Sequence, residues 1–415
     1  MPSLDRSSVS EPVGPAVERP RALAVVTFFP WPLNHGDALR RLMFLEALAA
    51  DTQLTVVALE RADTTPEDVA GLRERLPGVE IEVLPLWQER MDRPVARLGR
   101  LVRGCLSGRP PLLFQQYNPG LAPRVAEISA AAHFDLAVLI GSYAGVCADT
   151  VRADHVVLDT SNVMTASELD AMRTLSSPLG KLRAAVMAPM QYVYERRTFR
   201  RVDQVVVTSD EEGRRLRRFF GDHPTATLMS ANYPQEPAPG VDPGGRTLLW
   251  LSTFNYPPNW DGLLRFLRAA GPGLAAGGWT LRVAGAGVSD AQVERLRSFP
   301  FVDYQGFAES LTDVCDGVAA AVVPVWAGAG VKLKTLTFLG LGVPVLATPV
   351  ALEGIPHEAA AWVAGTPEDF LTGLERLTPE DLRAAAVRGR EVLDGHFSKK
   401  SFDDGVAQLV RDAVS

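Results

Sequence analysis

The stretch Trp326 to Thr335, WAGAGVKLKT, sets glycines at 328 and 330 and lysines at 332 and 334 between an apolar run and a helical pattern. Glycines let a backbone approach a phosphate closely, and a helix start with two lysines supplies positive charge. That combination points to anion binding, the alternative being a tight turn with solvent-facing lysines. A second loop, LSTFNYPPNW from Leu251 to Trp260, brings the hydroxyls of Ser252 and Thr253 as further phosphate donors. Asn259 in that loop reads as a helix cap ahead of WDGLLRFL.

In the first half, PLNHGDALRR carries Gly36 flanked by His35 and Asp37. Asp37 fits an N-cap, and His35 in a polar loop is a candidate general base or substrate contact. Gly285 and Gly287 of VAGAGVSD also follow an apolar run, yet the third glycine of a dinucleotide fingerprint is missing. No acidic residue ends a following strand at the ribose position, so the loop is weak evidence for NAD. The six histidines are dispersed, and no D-x-D, G-x-S-x-G, P-loop or H-E-x-x-H occurs. No metal site is expected.

The elements that hold these loops follow from periodicity. ALAVVTFF, a polar loop and ALRRLMFLEALAA give a buried strand, a loop and a helix, the start of a parallel α/β sheet. Further buried strands are expected at LTVVAL, IEVLPL, LAVLIG, HVVLD and QVVVTS, which makes residues 21–231 one Rossmann-like domain. ANYPQEPAPGVDPGGR lacks periodicity and reads as a linker over 232–246. The alternation restarts with TLLWLS, WTLRVAG, VDYQGF, AAAVVPV and VPVLATP, giving a second such domain over 247–397. SFDDGVAQLVRDAV is an amphipathic helix that periodicity alone does not place. Ligands of such sheets sit beyond the carboxyl ends of the strands, so two facing domains make one cleft.

The whole chain sets outer bounds. Its 415 residues suit two domains, and 42 basic against 49 acidic residues argue mildly against nucleic acid. Cys105, Cys147 and Cys315 lie far apart and read as reduced structural thiols of a cytoplasmic protein. Residues 1–20 are polar and proline-rich, without the apolar core of a signal peptide, and read as a disordered leader. The apolar run from Val318 to Val325 is too short to span a bilayer. ERMDRPVARLGRLVRGCLSGR interleaves six arginines with apolar residues. It reads as the solvated face of an amphipathic helix, with weak membrane association or an anionic acceptor as the alternatives.

In order along the chain, several blocks resemble the GT-B glycosyltransferases of the large family-4, glycogen synthase-like, retaining group. They are FPWPLNHGDALRRLMFLEAL, VVLDTSNV, YERRTFRRVDQVVVTSDEE, LSTFNYPPNWDGLLRFL, RVAGAG, VDYQGF and GAGVKLKTLTFLGLGVPVLATPVALEGI. The bacterial exopolysaccharide-type sugar transferases are the nearest subgroup in pattern. The resemblance implies an α/β GT-B fold of two Rossmann-like domains facing a cleft, with the terminal helix 398–415 crossing back onto the first. It implies a nucleotide-sugar donor in the second domain, beside Ser252, Thr253, Gly285, Gly287, Gly306, Phe307, Gly328, Ala329, Gly330, Val331, Lys332, Lys334 and Thr337. His35, Gly36 and Asp37 would lie at the reacting centre, and Asn34, Arg40, Ser142, Tyr143 and Asn162 would face a small-molecule or lipid-linked glycan acceptor. Transfer would be retaining and need no metal or other cofactor, because lysine and helix N-termini stabilise the leaving diphosphate.

One departure stands out. The group's two glutamates, eight positions apart, are here Ala329 and Thr337. The second usually binds the ribose hydroxyls, and threonine replaces its charge-assisted bonds with one short neutral group. Either another residue compensates, Glu353 being a candidate, or the donor is unusual, or turnover is lost. An active transferase is therefore weighed against a nucleotide-sugar-binding accessory protein and, third, a GT-B epimerase.

Overall fold

The computed structural model describes residues 19–33, 36–86, 118–174, 178–229, 236–328 and 330–415, with 99, 104, 110 and 231 as isolated positions. Most of the leader, Asn34, His35, Cys105, Ala329 and the six arginines of the 89–109 stretch lie outside these residues. Elements are numbered among the described residues.

The first domain runs β1 (Arg21–Val26), α1 (Gly36–Asp51), β2 (Gln53–Leu59), α2 (Pro66–Arg75), β3 (Glu80–Leu84), α3 (Leu121–Ala131) and β4 (Leu136–Ile140). It continues with β5 (His155–Asp159), α4 (Met164–Thr174), α5 (Pro178–Phe199), β6 (Gln204–Val207), α6 (Asp210–Phe220) and β7 (Thr225–Thr227). Its seven strands are all parallel, in the order β3-β2-β1-β4-β5-β6-β7. The second domain holds β8 (Thr247–Leu251), α7 (Pro257–Ala269), α8 (Gly271–Ala276), β9 (Thr280–Ala284), α9 (Asp290–Arg297) and β10 (Val302–Gly306). After these come α10 (Leu311–Val314), β11 (Val318–Val323), α11 (Leu333–Gly340), β12 (Val345–Ala347), β13 (Trp362–Val363), α12 (Pro367–Arg376) and α13 (Pro379–His396). Its six strands are parallel in the order β10-β9-β8-β11-β12-β13. The α/β fold of two Rossmann-like domains is present as the sequence implies.

Buried strands explain the apolar runs, since each sheet is covered on both faces. In β1, Ala22, Ala24 and Val26 pack into one core while Leu23 and Val25 pack into the other. In β8, Leu249 enters one core and Leu248 and Trp250 the opposite one. Helix starts are equally local in cause. The tetrapeptide Thr-Pro-Glu-Asp occurs at 65, 366 and 378, and each time it opens a helix with a reciprocal capping box and proline at the start.

The last helix, α14 (Lys399–Val414), buries Phe402, Val406, Leu409 and Val410 in the core of the first domain. Phe402 meets Phe44 of α1 edge to face at 5.8 Å. Two strands escaped the sequence reading, β7 and β13, and both are short outer strands. Cys147 and Cys315 are buried unpaired thiols, and burial raises their pKa to about 12 and about 11. No helix of the described residues is long and apolar enough to cross a membrane.

Candidate active site

In each sheet the strand order reverses at one place, between β1 and β4 in the first and between β8 and β11 in the second. The loops leaving the carboxyl ends of these strands diverge there and open a crevice. In the second domain those loops are Ser252–Thr253 after β8 and the glycine loop after β11. Gly285, just after β9, lets that loop cross the one after β8: at φ +153°, a Cβ on it would lie 1.7 Å from the carbonyl oxygen of Ser252. Its role in the structure is to let backbone pass backbone.

Lys334 is the central charge of this crevice. Its ammonium donates to Ser252 Oγ at 2.7 Å and Asn259 Oδ1 at 2.5 Å, and lies 6.0 Å from the Trp250 ring centroid. No carboxylate among the described residues pairs with it. Burial around the ammonium, with repulsion from Lys332, pushes its pKa down to about 7. Asn259 is not the helix cap that its position suggested. The prolines at 257 and 258 start α7 earlier, with Tyr256 at the N-cap position, so Asn259 falls in the first turn and is buried. From there its amide donates to Thr253 O at 3.0 Å, leaving Oδ1 for Lys334.

Lys332 is placed differently. Its ammonium donates to the carbonyls of Gly328 at 3.1 Å and Gly330 at 2.5 Å, and stands 3.5 Å from Glu353 Oε2. Burial lowers its pKa while Glu353 works the other way. The other oxygen of Glu353 lies 2.6 Å from Nη1 of Arg215, on α6 of the first domain. Arg215 also pairs with the buried Glu212. A chain of alternating charge thus runs Glu212, Arg215, Glu353, Lys332 across the domain boundary. Gly330 closes the boundary from the other side: its φ is +78° and a Cβ would sit 2.1 Å from Asn162 Oδ1 of the first domain. A cleft of about 690 Å³ opens between the domains along Ser209, Arg215, Met229, Glu353 and His357, and Lys334 does not line it.

In the first domain the predicted residues divide. Asn162 reaches the boundary. Ser142 and Tyr143, just beyond β4, are tied to α5: Tyr194 donates to Ser142 O at 3.0 Å and Gln191 to Tyr143 Oη at 3.0 Å. Burial raises the Tyr143 pKa to about 12. Arg40, expected against the acceptor, is instead buried in a bidentate pair with Asp159 at 2.6 and 3.2 Å and also donates to Leu228 O. Its guanidinium fastens α1 to β5, because an unpaired charge at that depth would be prohibitive. Gly36 and Asp37 open α1, so the helix starts one residue before Asp37. His35, Asn34 and Ala329 lie outside the described residues.

Of the remaining donor candidates, Gly306 ends β10, and Phe307 beside it exposes 69% of its surface. Val331 packs against the second-domain core, and Gly287 backs onto Asn255. Thr337 is half-buried on α11 and donates back to Leu333 O at 3.0 Å. The connection YERRTFRRVDQVVVTSDEE is scaffold along most of its length, and its end, from Ser209 to Glu211, lines the cleft. Glu195 accepts from the Met164 and Thr165 amides at 2.6 and 2.9 Å, Asp203 accepts from Val156 N at 2.8 Å, and Ser209 caps α6. Burial pushes the Glu195 pKa up to about 7.

Arg215 at the cleft and Asn259 beside Lys334 are the residues that sequence reasoning missed or misread. The only sequence signal for Asn259 is the Pro-Pro pair before it. His133, Asp135 and Asp154 form a surface ion-pair cluster, with His133 Nε2 3.6 and 3.2 Å from the two carboxylates. They precede β4 and β5, at the strand ends opposite the crevice.

Residues 245–379 match the family model described as glycosyl transferases group 1. The fold matches Anabaena HepE in complex with UDP at TM-score 0.63 and 13% identity, over 94% of this chain and 100% of that one. It also matches the pneumococcal O-GlcNAc transferase GtfA in complex with UDP and GlcNAc at TM-score 0.63 and 11% identity, over 95% and 99% of the two chains. A third match is the α,α-trehalose 6-phosphate synthase of Burkholderia multivorans, at TM-score 0.59 and 11% identity over 95% and 97%. A sequence search of curated proteins finds no match. The second domain is a group 1 glycosyl transferase domain, and the whole chain has the GT-B fold.

Proposed function

We propose that this chain, built on a GT-B fold around a group 1 glycosyl transferase domain, moves a sugar from a nucleoside-diphosphate sugar to an acceptor held by the first domain. We further read the transfer as retaining and metal-independent, and the protein as a cytoplasmic enzyme of bacterial polysaccharide or specialised-metabolite synthesis. The observation that carries the reading is Lys334: an enclosed ammonium with only neutral partners, at the crossover crevice, beside a glycine loop. A diphosphate is the anion that fits that ammonium in charge.

In this reading the bond between the anomeric carbon and the diphosphate oxygen breaks, and the electron pair leaves with the nucleoside diphosphate. Lys334, Lys332 and the amides at the start of α11 stabilise that charge. The acceptor hydroxyl attacks the oxocarbenium-like carbon on the face the diphosphate has left, and its proton passes to a leaving phosphate oxygen. No protein nucleophile is required, and Asn162 stands where the two domains meet over the glycine loop. HepE and GtfA, whose complexes contain UDP, support a nucleotide-sugar donor for this chain.

Melting curves with millimolar UDP, GDP, TDP or ADP test the donor site, since a ligand that binds only the native state raises stability. One of the four should raise the midpoint, and transfer to acceptor should persist in EDTA. No shift with any of them overturns the donor site, and a magnesium-reversible loss of activity overturns the metal-free step. A shift without donor turnover would assign the chain to the accessory reading instead.

A further inference from the structure

Among the described residues, ten large apolar side chains are exposed, and four of them lie on the single helix α5: Leu179 78%, Leu182 62%, Val186 37% and Val193 42%. With Pro189, also exposed, they repeat at intervals of 3, 4, 3 and 4 residues. At 100° per residue that spacing gathers them within an arc of about 80° on the outer face. The opposite face of α5 is the buried one, with Ala184, Met187, Ala188, Gln191 and Glu195 turned into the domain. Lys181, Arg183, Arg196 and Arg197 flank the stripe, and all are exposed. The only acidic residue of the helix, Glu195, is 2% exposed and occupied by the amides that start α4. The outer face is therefore apolar along its middle and basic along its edges, on a chain whose net charge is −7.

We propose that α5 is a docking surface for an anionic lipid bilayer, lying in the plane of the headgroups with Leu179, Leu182, Val186 and Val193 turned towards the acyl chains. A helix with this division of charge and apolar surface gains on both counts at such an interface, and on neither in water. Self-association of the stripe is the poorer fit. A two-fold pairing would bring the basic edges of two copies together, and Glu168, 3.9 Å from Arg183, is itself largely buried.

The position of the helix gives the docking a purpose, and this clause rests on the transferase reading. The α4–α5 hairpin begins two residues after Asn162, and Glu168 of α4 is close enough to Tyr256 of the second domain to raise that tyrosine's pKa, with burial the larger cause. A bilayer under α5 would lie beside the opening between the domains, where an acceptor carried on a lipid would enter.

The test uses the full chain, sedimented with vesicles of phosphatidylcholine alone or with about one third phosphatidylglycerol. Wild type should partition onto the anionic vesicles about tenfold more than onto the neutral ones, less so at high salt. Leu179→Glu/Leu182→Glu, two exposed positions, should lower that partition about tenfold while its melting point and its shift with nucleotide stay at wild type. Arg196→Glu/Arg197→Glu should lower it as well and remove the preference for anionic lipid. No binding by wild type, or equal binding by the leucine variant, overturns the proposal. A wild-type dimer that the leucine variant dissociates, without vesicle binding, overturns it in favour of a second copy. The nucleotide shift, measured without vesicles, reports separately on the donor site.

Discussion

At the carboxyl end of β5 in the first domain, Asp159 is clasped by Arg40 through two hydrogen bonds, while beside the crevice of the second domain Lys334 has a hydroxyl, an amide and an indole ring. The neighbours follow the same division. Glu212 in the first domain is buried and matched by Arg215, with the Val163 amide on its other oxygen. In the second domain the enclosed ammonium is held in place without being neutralised. A charge matched inside its own domain fastens elements together. A charge held by neutral groups keeps its electrostatic capacity for a ligand, at a cost seen in its lowered pKa. Lys332 falls between the two, matched by Glu353, whose other oxygen is taken by Arg215 across the boundary.

The contrast can be broken most forcefully at the matched charge. Asp159→Asn leaves the Arg40 guanidinium buried without a counter-charge and should cost about 3–5 kcal/mol of stability in urea unfolding. A loss below about 1 kcal/mol would mean that the pair does not fasten α1 to β5.

Lys334→Met should do the reverse. The ligand-free protein should hold or gain stability, because a desolvated charge is removed, while nucleoside diphosphate binds about 10–100-fold more weakly by calorimetry. Lys332→Met should weaken binding less, since Glu353 already engages its charge. If both variants bind as wild type does, the second-domain charge is not a ligand charge.

The two domains should also respond oppositely to pH. The Glu195 carboxyl is raised from 4.5 to about 7. Between those values the folded protein holds a proton that the unfolded chain has lost, so its contribution to stability falls as pH rises through that window. Lys334 is lowered from 10.5 to about 7. Above about 7 the unfolded chain holds the extra proton, so this contribution rises with pH up to about 10.5. Diphosphate affinity should fall over the same upper range, because the bound anion needs the ammonium. Urea midpoints at about pH 5, 7 and 9 check this, with Glu195→Gln flattening the lower limb and Lys334→Met the upper. A wild-type slope retained in either variant breaks the assignment.

The smallest expected effect is at Thr337. It lies three residues beyond Lys334 on α11, on the same side of the helix. Thr337→Glu should fold normally and bind nucleoside diphosphate as tightly as wild type or up to about tenfold more tightly, by gaining charge-assisted bonds to the ribose. Clearly weaker binding by a well-folded variant points to a pocket shaped for a specialised donor.

What was legible in the sequence is what neighbouring residues settle among themselves. Long apolar runs such as LAVVT and AAAVV give the central strands, because a strand covered on both faces cannot carry polar residues. Glycines after strands mark the crevice loops. The strands β7, TAT, and β13, WV, are too short for any period to show, and lie at the outer edge where apolar pressure is weakest. Asn259 was misread because a cap and a buried amide use the same side chain, and two prolines upstream decided which it became.

The sequence by itself determined the order of strands and helices in two α/β halves and the loops that carry glycine, serine and lysine. Tertiary structure alone decided which charges those loops keep. Arg40 and Lys334 are both basic residues near loops, and nothing local separates them. Asp159 reaches one from 119 positions away, while the other meets Ser252 and Asn259, 82 and 75 positions away, neither of them charged. The Arg215–Glu353 link likewise joins side chains from different domains. Partners at such separations are brought together only by packing the sheets and closing the domains, and in a low-dielectric interior the partner decides whether a charge fastens the fold or waits for a ligand.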